Sequence, residues 1–222
     1  MARDLASRRA RMVDTQLRRR GIADERVLAA MAEVPRELFV PAARRRQAYS
    51  DGALAIGEGQ TISQPWIVAF MAASLELEGH ERVLEVGAGS GYGAAVLGLL
   101  AAEVWTVERI PELAERAAEV LRSLAYSNVH VVCGDGSGGL PEHAPYEAIS
   151  VTASAPRSPT ALLDQLCEGG RLVCPIEEET ADRLTRFRRL QGAVEREPLV
   201  PCRFVPLLGT GGYAAAPPRP AG

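Results

Sequence analysis

The stretch VLEVGAGSGYG, residues 83–93, limits what this chain can become more than any other part of it. A short apolar run enters Gly87-x-Gly89-x-Gly91, and small residues suited to a helix follow through Ala101. Strand, glycine turn and helix in that order open a parallel α/β unit that holds its ligand at the carboxyl end of the strand. The rhythm continues downstream. Strands are predicted at 82–86, 104–107, 129–133, 148–152 and 171–174, with helices at 91–101, 111–124 and 159–166. Gly169-Gly170 is read as closing the last helix. Residues 183–208 read as two more strands about a turn near Gly192.

Ahead of this unit, residues 5–19 carry a helical pattern. Asp24 is a good N-cap for a second helix through Val27, Leu28 and Met31, which Pro35 stops. Residues 48–65 are rich in Gly, Ser, Asp and Pro and read as a long loop of the kind that carries function. Pro65 then opens a helix over 66–77. The expected organisation is helices and a substrate loop over 1–80, forming one compact unit with an α/β core over 81–213. A disordered tail is expected over 214–222. The fold class is α/β: a Rossmann-like, doubly wound, mostly parallel sheet with a helical N-terminal extension and a C-terminal antiparallel strand.

Composition removes whole classes of chemistry. All 25 basic residues are arginine, so Schiff-base catalysis and a P-loop lysine are excluded. Cys133, Cys167, Cys174 and Cys202 form no CxxC pair, and His80, His130 and His143 have no ligand spacing; no metal is expected. The net charge of −3 gives no support to nucleic-acid binding. Twelve arginines against six acids in residues 1–46 read as a solvated helical segment or, alternatively, as an electropositive flank that attracts an anionic peptide, with Arg44-Arg45-Arg46 the densest run. No apolar stretch is long enough to cross a membrane, and MARDLASRRARMVD has no secretory character. A cytoplasmic monomer is expected.

Three acids specify the ligand. The dinucleotide fingerprint needs glycine at 92, where Tyr92 stands. Glu85, two residues before the turn, would repel a pyrophosphate but suits ammonium and sulfonium charge. Glu108, at the end of the next strand, is placed to accept from both ribose hydroxyls. Asp135, with Gly136 beside it, ends the third strand and can accept from an adenine amino group. Each acid has a plainer role open to it, as surface group, ion pair or turn former. Together they describe a pocket for S-adenosylmethionine, with S-adenosylhomocysteine as product.

The chain also resembles the protein-L-isoaspartate O-methyltransferases over about residues 8–213. The resemblance rests on MVDTQLRRRGIADERVLAAMAEVPRELFVP, GQTISQP, VLEVGAGSGYG, CGDG, APYEAISVTASAP, LLDQLCEGGRLVCPI and RFVPLLG. The glycine loop is widespread among methyltransferases; GQTISQP behind that N-terminal stretch is far more specific. The resemblance implies the class I methyltransferase fold, with Ser63 as the active-site serine and Gln60, Thr61 and Ile62 between cofactor and substrate. It also implies isoaspartyl proteins and flexible peptides as substrates, and a repair role. The methyl ester formed collapses to a succinimide, which water opens. Trp66, Ala55, Glu147 and Ser154 depart from the pattern expected, leaving peptide preference more open than reaction type.

A carboxylate is already ionised at neutral pH, so the reaction needs no general base. Alignment and exclusion of water must do the work. Ser63 can orient the substrate carboxylate without blunting it as a cation would. Its plainer alternative is to cap the helix after Pro65. Competing readings are a relative tailoring ordinary aspartate in a dedicated peptide, a nicotinamide-binding oxidoreductase, and a non-catalytic scaffold.

Overall fold

The computed structural model describes residues 2–216. The expected tail from 214 therefore lies outside the described residues beyond 216. Helix α1, Ala2–Met12, runs on through a π turn and a 3-10 turn as far as Arg20. Gly21, at φ +91°, ends it. Helix α2 is Glu25–Glu33. The Asp24 carboxylate caps it by accepting from the backbone N–H of Arg26 and Val27 at 2.9 and 3.1 Å.

The segment expected as a loop over 48–65 holds a small antiparallel hairpin, β1 (Leu54–Gly57) and β2 (Gln60–Ile62). Its turn is Glu58-Gly59, both at positive φ (51° and 67°). That is the two-residue geometry whose twist matches a hairpin. Helix α3, Pro65–Ser74, follows with Pro65 in its first turn.

The core alternates as expected: β3 (Arg82–Val86), α4 (Tyr92–Gly98), β4 (Glu103–Glu108), α5 (Pro111–Ser123), β5 (Val129–Cys133) and β6 (Tyr146–Val151). It continues with α6 (Thr160–Leu163), β7 (Leu166–Glu177), β8 (Asp182–Leu190) and β9 (Ala193–Cys202). Two expectations need correction. The helix predicted over 159–166 is a single turn, because β7 already begins at Leu166. Gly169-Gly170 lies inside that strand, where its pairing with β6 shifts register, rather than at a helix end. The two strands expected over 183–208 about a turn near Gly192 are β8 and β9, both antiparallel.

The sheet order is β5-β4-β3-β6-β7-β8-β9. Strands β3 to β7 pair in parallel, and β8 and β9 run antiparallel. The chain steps outward from β3 to β5, then returns to the other side of β3 for β6. Ligands of open α/β sheets bind at such a reversal. Successive side chains of β3 face opposite layers: Val83 joins one apolar cluster and Leu84 and Val86 the other. The first cluster also holds Met12, Leu17, Leu28 and Met31, so the N-terminal helices cover one face of the sheet. The arginine-rich start is largely exposed, with ion pairs such as Arg19–Asp14 (2.9 Å) and Arg20–Asp51 (3.0 Å).

Candidate active site

A cleft of about 910 Å³, counting its open mouth, lies at the carboxyl ends of β3, β4 and β6. Its walls are residues 60–63, the turn after β3, the end of β4, Gly136-Ser137, Thr152-Ala153 and residues 205–208.

The glycine turn is built for close approach. Gly87 has φ +96°, and a Cβ there would lie 2.4 Å from the Thr152 hydroxyl oxygen. That hydroxyl donates to the Gly87 carbonyl at 2.6 Å, joining β6 to the turn across the reversal point. Gly93, in the first turn of α4, lies over Glu85, and a Cβ there would lie 2.3 Å from Glu85 Oε1. Gly87 and Gly89 line the cleft; Gly91 does not. Gly91 instead lets α4 approach α5, its Cβ position being 3.1 Å from that of Ala117.

Glu108 is buried, and both its oxygens are fixed by backbone. Oε2 accepts from Gly89 N–H at 2.8 Å and Oε1 from Ile110 N–H at 2.9 Å. Each oxygen keeps a lone pair for a further donor. Glu85 is also buried and accepts from the Thr106 hydroxyl at 2.6 Å. Burial pushes its carboxyl up to about 8; the nearby Glu108 charge adds to this, and the Thr106 bond opposes it. An acid pair facing one cleft suits a cationic occupant, which favours the ionised form of Glu85.

Asp135 has partners within the chain that its place at a strand end did not announce. Its oxygens accept from the N–H and hydroxyl of Ser137 (2.9 and 2.6 Å) and of Thr210 (2.9 and 3.3 Å). Burial raises its pKa, but these bonds outweigh that and hold the carboxyl below its ordinary value. Asp135 is not among the cleft-lining residues, whereas Gly136 and Ser137 are. Its carboxylate binds the 136–138 turn to the C-terminal segment, whose residues 205–208 form a wall of the cleft.

Gln60, Thr61, Ile62 and Ser63 all reach the cleft. Helix α3 begins at Pro65, and Gln64 is its N-cap residue without a side-chain capping bond. Ser63 therefore does not cap that helix. Three features escaped the sequence reading: the wall at 205–208, the Thr152 tie, and Arg36. Arg36 is fully buried, and its Nη2 donates to the Ser63 carbonyl at 2.7 Å. RFVPLLG and VPREL were visible only as parts of a resemblance.

A family model described as protein-L-isoaspartate(D-aspartate) O-methyltransferase (PCMT) matches residues 7–212. The chain belongs to that family. A protein-L-isoaspartate O-methyltransferase of Methanoculleus marisnigri is 53% identical over 92% of this chain and 93% of its own length. One from Herpetosiphon aurantiacus is 54% identical over 94% and 93%. A solved protein-L-isoaspartate O-methyltransferase superposes with a TM-score of 0.82 at 31% identity, over 92% of this chain and 67% of that one. A second, from Plasmodium falciparum and in complex with S-adenosyl-L-homocysteine, superposes at 0.78 with 26% identity, over 90% and 98%. The departures Ala55, Trp66, Glu147 and Ser154 are absent from the cleft-lining residues of this family member. Glu147 accepts from Arg82 N–H at 2.7 Å at the start of β3, and Ser154 donates to the buried Asp182 at 2.7 Å.

Proposed function

We propose that this chain methylates the free carboxylate of L-isoaspartyl residues in damaged proteins and flexible peptides, using S-adenosylmethionine. The observation that carries the reading is the convergence of Glu85, Glu108 and residues 60–63 on one cleft at the reversal point of the sheet. The donor set fits the cofactor. Glu108, anchored by two backbone N–H groups, would hold the ribose hydroxyls. Glu85 would face the positively charged end of the ligand, and the Gly87–Gly89 backbone leaves room for close approach. Gly136 and Ser137 would border the base, on a turn that Asp135 secures. When bound, S-adenosylmethionine supplies an electrophilic methyl group on a cationic sulfur.

The remaining work belongs to this chain's own residues. The Ser63 hydroxyl donates to the non-attacking oxygen of the substrate carboxylate and fixes its direction. Gln60, Thr61 and Ile62 close over the cofactor and keep water from the reacting atoms. No side chain needs to remove a proton, because the nucleophile is already an anion. Glu85, and Tyr92 where the dinucleotide fingerprint needs glycine, count against a nicotinamide-binding oxidoreductase. Among the described residues no helix is long and apolar enough to cross a membrane.

Peptides differing only in aspartyl or isoaspartyl linkage, incubated with methyl-labelled cofactor, test the reading. Base-labile label on the isoaspartyl peptide alone is the expected result. Label on ordinary aspartate would point to a tailoring enzyme, and no label on either would refute methylation.

A further inference from the structure

Arg36 stands on a 3-10 turn, Arg36–Leu38, outside the cleft-lining residues. It is fully buried, yet no carboxylate pairs with it among the described residues. Its Nε donates to the Ala48 carbonyl and its Nη2 to the Ser63 carbonyl, each at 2.7 Å. Its Nη1 is buried and makes no hydrogen bond among the described residues. The guanidinium carbon lies 4.7 Å from the ring centroid of Tyr92, which does line the cleft.

Burying a cation without a counter-charge is costly, and an apolar side chain of similar volume would serve packing as well or better. What an apolar side chain cannot do is hold two carbonyls at a set separation. The guanidinium is a rigid planar fork. Ala48 precedes the β1–β2 hairpin and Ser63 follows it, so the fork brackets the hairpin that carries residues 60–62. One end of the tie is the main chain of the serine itself; the flat face rests on a wall of the cleft.

We propose that Arg36 is a positioning residue for methyl transfer, acting through the main chain of Ser63 to place its hydroxyl. The inference rests on the function proposed above. Arg36→Lys keeps the charge and loses the fork; Arg36→Gln keeps a single donor group. Both should lower kcat on an isoaspartyl peptide at least about tenfold, since small misplacements of reacting groups carry penalties of that order or more. Peptide KM and the adenosylhomocysteine dissociation constant should each stay within about threefold of wild type, the pattern of an interaction that counts in the transition state. Rates are referred to the fraction of protein that binds adenosylhomocysteine, so partial unfolding does not imitate a slow enzyme.

Unchanged kcat in both variants overturns the proposal. So does a joint fall of kcat, ligand affinity and melting temperature, or recovery of unfolded protein only, since either marks a scaffold residue. Wild-type protein inactive on the peptide overturns the function reading first, and this inference with it.

Discussion

Glu108 and Glu85 do different work although both are buried carboxylates in one cleft. Glu108 is fixed by two backbone donors, so the hydrogen bonds proposed for it to the ribose would be directional. Glu108→Ala is expected to weaken cofactor binding by about 1.5–3 kcal/mol, the usual worth of hydrogen bonds to a charged group; calorimetric titration checks it. Glu85 is held up to about 8, above its ordinary 4.5, so the ligand-free protein keeps a proton there that the unfolded chain releases. Its stability should fall as pH rises between those values, because the native state binds more protons across that window. A cationic ligand favours the ionised form. Binding of S-adenosylmethionine should therefore release a proton and tighten as pH rises toward about 8. Titrations in buffers of different ionisation enthalpy read this directly, and a pH-independent affinity would contradict it. Ser63→Ala should cut turnover much more than cofactor affinity. Steady-state kinetics beside adenosylhomocysteine titration separate the two, and equal loss of both would make Ser63 structural.

Helix α4 passes close over Glu85 at Gly93. On an open helix, alanine for glycine stabilises by roughly 0.5–1 kcal/mol. Here the new methyl meets a buried carboxylate held by Thr106, so Gly93→Ala should destabilise by about 1–3 kcal/mol, the usual cost of overpacking, and weaken cofactor binding. Denaturant unfolding and a ligand titration measure the two effects. The strand–turn–helix rhythm was legible because apolar runs and glycines recur at the period of the elements they form. The hairpin over 54–62 was not, because its turn uses Glu58 at φ 51° instead of an asparagine or glycine that would signal it. The helix expected over 159–166 failed for a different reason. Leu162, Leu163 and Leu166 have helical spacing, yet Leu166 pairs with Tyr146 in the sheet, and that pairing outweighs local preference.

The ligand cleft draws on parts of the chain that no local pattern connects. Residues 60–63, the turn after β3, the ends of β4 and β6 and residues 205–208 meet only because the sheet reverses direction at β3. The acids of β3 and β4 were legible as a pair because strand ends set their positions. The tie from Asp135 to Thr210 was not legible, because Thr210 lies 75 residues away in a segment without periodicity. Arg36 was not singled out, since a lone arginine among 25 basic residues carries no signal until its burial is seen. A crystal structure with adenosylhomocysteine and an isoaspartyl peptide bound together bears most directly on the whole arrangement. It should show the ribose hydroxyls on Glu108, the nucleoside over the Gly87 turn and the Ser63 hydroxyl on the peptide carboxylate. A nucleoside seated elsewhere, or a peptide carboxylate remote from Ser63, would contradict it.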